Sequence, residues 1–157
     1  MLARRDVVLV ATAVVAAGAG AGASLAGLTV SRAATAPPMR SRVFAWTELR
    51  PEASKTGERR EVFDAPTATL DRLASHVTTL NPGQAPHPAH KHPEEELMIV
   101  RQGTLEVTLN GQASRVETGG MIFCASNEMH GLRNVGTTPA VYYVVKWFPH
   151  DLGKPAP

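Results

Sequence analysis

The sequence contains a single cysteine, Cys124, among its 157 residues. One cysteine cannot form an intrachain disulfide, so packing must hold the fold together. Aromatic residues make up only 5% of the chain. Between residues 70 and 148 no apolar pattern has the 3.6-residue period of an amphipathic helix. There is no internal repeat and no glycine-rich phosphate-binding motif. These absences argue against a disulfide-rich domain, a helical domain and a P-loop or dinucleotide-binding fold.

The chain has little net charge, +2 with neutral histidines, and this charge is unevenly placed. Residues 1–42 carry a net charge of +4, whereas residues 43–157 carry −2. A basic surface that attracts nucleic acid would have to lie on the folded body. The basic excess belongs to the N-terminal segment instead, so no nucleic-acid partner is predicted.

The N-terminal segment has the composition of an export signal. Residues 7–31 lack charged side chains and are mostly Ala, Gly and Val, and Arg4 and Arg5 precede them. The adjacent arginines partly match a twin-arginine signal. We therefore expect residues 1–33 to be a signal peptide that directs export to the periplasm or the extracellular space. The alternative is an uncleaved membrane anchor, since a bilayer needs about 20 apolar residues.

The remaining chain is predicted to be all-β. Residues 34–69 are expected to form a linker and an N-terminal arm with short strands, and within them residues 50–60 are predicted to be a loop. From residue 70 onward about seven short strands alternate with turn residues, as in an antiparallel sandwich or barrel. Residues 104–109 alternate strictly between polar and apolar, and Asn110-Gly111 is the preferred type I′ hairpin turn. Residues 150–157 are taken as a C-terminal tail.

Histidines and carboxylates are concentrated in residues 87–96. His90 and His92 are two residues apart and would share one face of a strand, and Glu96 has the same parity. Two imidazoles and a carboxylate can supply three ligands to a divalent transition metal. His130, which begins a separate predicted strand, is the candidate fourth ligand. The alternative is a solvent-exposed polar edge; the same-face carboxylate and the separate histidine favour the metal site.

The spacing of these residues resembles the first motif of the cupins. That motif is a glycine, His-x-His, three or four residues, Glu, six residues and Gly. Here His90 and His92 are followed after three residues by Glu96, and after six more by Gly103. The leading glycine, Gly83, lies one residue further from His90 than in the usual form.

The second cupin motif is also present with two changes. It reads Gly, five residues, Pro-x-Gly, two residues, His, three residues and Asn, and Gly119, His130 and Asn134 have the matching offsets. Ala125 and Asn127 occupy the Pro and inner Gly positions. Asn adopts a positive φ more readily than most residues, so Asn127 can take the place of that glycine.

The resemblance covers residues 70–149 and implies a double-stranded β-helix, a jelly-roll barrel, with a metal inside it. The ligands would be His90, His92, Glu96 and His130, and the metal would be Fe, Mn, Zn or Ni. The expected function is a small-molecule metalloenzyme of oxygenase, isomerase or hydrolase type, with dioxygenase chemistry favoured. The alternative is a non-catalytic cupin that binds or senses a small ligand. By analogy a homodimer is expected, with membrane contact only through an uncleaved N-terminal segment.

Three further residues near the predicted site are not expected to bind the metal or to react. Cys124 lies in an apolar strand without nearby cations, so we expect a buried, inert thiol rather than a nucleophile. His87 is flanked by prolines, which favours a surface loop over a residue that supports the metal ligands or contacts the substrate. Met98 shares strand parity with Glu96 and is therefore expected to line the same pocket. No residue outside the metal shell is identified as a catalytic acid or base.

Overall fold

The computed structural model describes residues 36–150. The expected signal segment, residues 1–33, and most of the predicted tail lie outside the described residues. Within the described part the chain forms nine β-strands, and its helical structure is one 3-10 turn at Trp46–Glu48. None of the helical structure in residues 36–150 is long and apolar enough to cross a membrane. The all-β prediction is confirmed.

The strands form two antiparallel sheets. The strand bounds, in chain order, are β1 Pro51–Ala53, β2 Gly57–Ala65, β3 Arg72–Leu80, β4 Glu95–Gln102, β5 Thr104–Leu109, β6 Gln112–Glu117, β7 Met121–Cys124, β8 His130–Asn134 and β9 Ala140–Phe148. The larger sheet has the order β1-β2-β3-β9-β4-β7, and the smaller one has the order β6-β5-β8. Seven of these strands begin after residue 70, as the turn spacing predicted.

The prediction of a loop over residues 50–60 was wrong. Pro51–Ala53 and the first part of Gly57–Ala65 pair antiparallel at the edge of the larger sheet. All three residues of β1 are exposed, so no apolar alternation marks the strand in the sequence. Backbone pairing to β2, and of β2 to β3, fixes these strands instead.

The core lies between the inner faces of the two sheets. The strictly alternating β5 buries Leu105 and Val107, and β4 buries Met98 and Val100. These side chains belong to one apolar cluster together with others from β3, β7, β8 and β9: Leu80, Ile122, Cys124, Leu132, Ala140, Tyr142 and Val144. The alternation of apolar and polar residues along each strand thus determines which face is buried in the core of the barrel.

Two turns have the backbone conformation that their sequences require. Asn110 and Gly111, which join β5 to β6, have φ values of +48° and +84°, as the predicted type I′ turn demands. Gly103, the last motif glycine, has φ +89° between β4 and β5, and a Cβ there would lie 2.8 Å from Ala140 Cα. Only glycine fits this close approach of two strands.

Asn134, the last residue of the second motif, joins three segments. Its side chain is fully buried, and its Nδ2 donates to Leu80 O and Thr138 O, each at 2.8 Å. Its Oδ1 accepts from Gly136 N at 2.9 Å. Buried polar groups are stable only when they are hydrogen-bonded, so Asn134 ties β8 to the end of β3 and to the following turn.

Candidate metal centre

Three histidines converge where the two sheets meet. His90 lies in the segment between β3 and β4, and His130 begins β8 in the smaller sheet. The two residues exchange backbone hydrogen bonds, His90 N to His130 O at 2.9 Å and His130 N to His90 O at 2.8 Å. His92 follows in the same segment, which is irregular until β4 begins at Glu95. Convergence was predicted from strand parity, but backbone pairing to β8 produces it.

The turn between β7 and β8 sets the position of His130. Asn127 has φ +59°, so it adopts the left-handed conformation expected at the motif's inner glycine position. Its backbone nitrogen donates to His92 O at 2.8 Å. The turn that precedes one histidine is therefore bonded to the segment that carries another.

The three imidazoles are arranged as metal ligands require. One ring nitrogen each from His90, His92 and His130 lies within 4.8 Å of the others. The Nδ1 atoms of His92 and His130 face the carbonyl oxygens of Glu94 and Glu128, both at 2.9 Å. Such a bond places the proton on Nδ1 and leaves the Nε2 lone pair for a metal.

Two ring nitrogens of this cluster are buried without a partner among residues 36–150. They are His90 Nδ1 and His130 Nε2. A buried polar atom without a hydrogen bond is costly, and a divalent metal would satisfy both nitrogens at once. Burial, followed by the charges of neighbouring histidines, also lowers the pKa of His90, which keeps that ring neutral as ligation requires. The donor set therefore fits a divalent transition metal.

Glu96 lies beside this cluster and is held by Lys146. The carboxylate is buried, and its Oε2 is 3.3 Å from His92 Nε2 and 2.8 Å from Lys146 Nζ. Burial acts to raise the pKa of Glu96, but the hydrogen bond and charge of Lys146 outweigh it and lower that pKa. Glu96 is thus a buried, ionised carboxylate next to three imidazoles. Its role as a fourth ligand stays a prediction.

A cavity of about 410 Å³ opens next to the cluster. Its wall includes His90, Glu96 and His130, and Met98 lines it as predicted. The rest of the wall includes residues of β2, β3 and β9, among them Arg59, His76, Thr78, Tyr142 and Lys146. A volume of this size accommodates a small organic molecule.

Sequence reasoning missed two titratable residues of this cavity. Burial, and then the charge of Arg59, lowers the pKa of His76 to about 4, so its imidazole is neutral near pH 7. Lys146 contacts both Glu96 and His92. The sequence contained a signal for Lys146. It lies four residues after Tyr142 in the apolar strand β9, so both side chains face the same side of the sheet, the side that is buried at Tyr142.

Cys124 agrees with the sequence analysis, whereas His87 agrees with it only in part. Cys124 is buried, and burial followed by the charge of Glu96 raises the pKa of its thiol to about 12, which excludes a reactive thiolate at neutral pH. His87 is exposed, although it also lines the cavity and its ring centroid is 4.2 Å from that of His90.

A family model and solved structures match this chain. The family model described as Cupin domain matches residues 76–146. The polyketide cyclase RemF from Streptomyces resistomycificus is 25% identical, with a TM-score of 0.57 over 69% of this chain and 80% of that one.

Two further structures share the fold at lower identity. KdgF from Halomonas sp. is 20% identical, with a TM-score of 0.59 over 71% of this chain and 98% of that one. A predicted oxalate decarboxylase from Thermotoga maritima is 24% identical, with a TM-score of 0.55 over 68% of this chain and 99% of that one. These matches confirm the jelly-roll fold that the two motifs predicted.

Proposed function

We propose that this chain, which contains a cupin domain, is a metal-dependent enzyme that acts on a small molecule bound inside the barrel. One observation carries the proposal: His90 Nδ1 and His130 Nε2 are buried and unpartnered among residues 36–150, at the wall of the cavity. Such nitrogens are costly in a site that only has to pack. They are expected in a site that binds a metal, with Fe, Mn, Zn and Ni as the candidates.

The residues around the cavity have distinct tasks in this proposal. His90, His92 and His130 would hold the metal, and Glu96 is the candidate fourth ligand. A divalent metal bound there would supply Lewis-acid polarisation of a substrate oxygen, or dioxygen chemistry if it is iron. Neutral His76, with a pKa of about 4, can form a hydrogen bond with a substrate in the cavity. Met98 and the aromatic ring of Tyr142 contribute apolar surface to the wall of the same cavity.

The structural neighbours support a small-molecule substrate without selecting a reaction. A polyketide cyclase and a predicted oxalate decarboxylase share this barrel. Their chemistries differ, so the site of this chain must determine its own reaction. Dioxygen-dependent chemistry is the first class to test, and a non-catalytic module that binds or senses a ligand is the alternative.

Metal content of the purified protein tests the metal site. We expect about one transition-metal ion per chain in the wild type. The metal affinity of His130→Ala should be at least about ten-fold weaker, because loss of a residue that only supports a ligand already has a cost of this size. His150→Ala is the matched control, because His150 is exposed and its Nδ1 pairs with Asp71 rather than with the cluster. Wild-type protein without metal, or His130→Ala with unchanged affinity, would contradict the proposal.

Turnover by the metal-loaded protein distinguishes the two functional classes. Oxygen uptake and product formation are measured on small phenols, diketones and hydroxy acids, with His130→Ala as the inactive comparison. Metal-dependent turnover supports the enzyme. Saturable binding of one of these compounds without turnover would instead establish the binding module.

A further inference from the structure

Lys146 is the one residue that bonds to two members of the candidate ligand set within residues 36–150. It lies on the inner face of β9, directly opposite Glu96 on β4. Its Nζ is 2.8 Å from Glu96 Oε2 and 3.1 Å from His92 Nε2. The ammonium group therefore contacts two atoms that are candidate metal ligands.

The direction of the hydrogen bonds makes the contact of Lys146 with His92 incompatible with metal binding at the same nitrogen. Because His92 Nδ1 faces Glu94 O at 2.9 Å, it carries the ring proton and Nε2 is the acceptor. Lysine has three donors and no acceptor, so Lys146 donates to that Nε2 lone pair and to Glu96. The one free lone pair of the His92 ring cannot accept a hydrogen bond and coordinate a metal at the same time, whereas the two oxygens of Glu96 have lone pairs for both.

We propose that Lys146 competes with the metal for the Nε2 atom of His92, an inference that rests on the proposed metal site. Metal binding then requires the ammonium group to leave that nitrogen, although it can keep its bond to Glu96. Lys146 lines the cavity, so its side chain has space to withdraw on that side. Part of the metal's binding free energy is used to break this contact, and the affinity for metal is lower than three histidines and a carboxylate would otherwise provide.

Metal affinity of a lysine variant tests this competition. Zn²⁺ affinity is measured by competition with a chromophoric chelator for the wild type and for Lys146→Met, which keeps the length of the side chain. We expect the variant to bind Zn²⁺ about ten-fold or more tightly, the effect of losing one charge-assisted hydrogen bond that opposes binding.

Lys91→Met is the matched control. Lys91 is exposed and lies between His90 and His92, so the variant removes the same charge close to the ligands. We expect it to raise the affinity by less than about three-fold, since exposed charges interact weakly. An equal gain in both variants, or no gain in Lys146→Met, would overturn the competition. Absence of Zn²⁺ binding in the wild type and in every variant would instead refute the metal site itself.

Labelling of the wild-type protein tests the same inference without a variant that could misfold. An amine-reactive ester is applied with and without saturating Zn²⁺, and modification of each lysine is followed by mass spectrometry. We expect Zn²⁺ to increase labelling of Lys146 several-fold relative to exposed Lys55 and Lys91, because the displaced amine faces the cavity. Equal or reduced labelling of Lys146 in the zinc-bound protein would overturn the proposal.

Discussion

His76 shows how a single residue couples the cavity to stability. Its pKa falls from the ordinary 6.5 to about 4 in the folded protein, first because the imidazole is buried and then because Arg59 is near. Between these values the unfolded chain binds more protons than the folded chain. Stability contributed by neutral His76 is therefore complete above pH 6.5 and is lost as the pH falls toward 4.

We expect His76→Gln to remove this pH dependence. For the chelator-treated wild type, the free energy of unfolding should fall between pH 7.5 and 4.5 by about 2 kcal/mol more than in the variant. Urea unfolding of both proteins at the two pH values measures the difference, and the other titrating groups cancel in the comparison. Equal pH dependence in both proteins would show that His76 is not buried as described.

The residues of the site were predictable from the sequence to unequal degrees. His90, His92 and His130 could be identified because their spacing along the chain matches the two cupin motifs. Lys146 is 50 residues from Glu96, and only the cross-strand register of β4 and β9 places them together. No local pattern contains that register, so the contact was beyond sequence reasoning.

At the scale of elements, the turn between β7 and β8 depends on the left-handed conformation of Asn127. We expect Asn127→Val to destabilise the fold by about 1–2 kcal/mol, the cost of that conformation for a β-branched residue. Zn²⁺ affinity should also fall several-fold, because Asn127 N bonds to His92 O and the turn leads into His130. Thermal unfolding and chelator competition measure the two effects.

Two further variants define the cause of that effect. Asn127→Gly should retain stability within about 0.5 kcal/mol, since glycine adopts a positive φ freely. Ser126→Val introduces the same side chain at the preceding exposed position of the turn and should have little effect. A loss of stability in Asn127→Gly equal to that in Asn127→Val would mean that the asparagine side chain, rather than backbone conformation, maintains the turn.

Strands were predictable from the sequence where one face is buried. The polar and apolar alternation of residues 104–109 predicted β5 correctly, because Leu105 and Val107 are buried in the core while their neighbours face away from it. Pro51–Ala53 was missed because an exposed edge strand leaves no such pattern. The same distinction explains why the barrel was predicted more accurately than the arm that completes its larger sheet.

At the scale of the whole molecule, two expectations remain predictions. Export rests on Arg4 and Arg5 and the uncharged segment after them, outside the described residues. A homodimer rests on the cupin resemblance. Met121 and Phe123 are 66% and 51% exposed on β7, an edge strand of the larger sheet, where apolar side chains are unusual for a surface in contact with water.

The candidate metal centre connects the two sheets of the barrel. His92 lies three residues before β4 of the larger sheet, whereas His130 begins β8 of the smaller sheet. No disulfide can connect the sheets, because the chain has a single cysteine. Apart from the backbone loops, a metal bound to both histidines would therefore be the one covalent or coordinate link between the sheets within residues 36–150.

Metal removal should consequently lower the thermal stability of the whole barrel. At a free metal concentration about 100 times Kd, binding to the folded state alone adds about 2.7 kcal/mol, and for a domain of this size its loss lowers Tm by roughly 10 °C. Thermal unfolding with and without a chelator measures the change, and Tm of His130→Ala should be insensitive to the chelator. If the chelator removes the metal and leaves the wild-type Tm unchanged, the metal is bound where it does not connect the sheets. Since the proposed ligands come from both sheets, such a result would exclude the centre described above as the binding site.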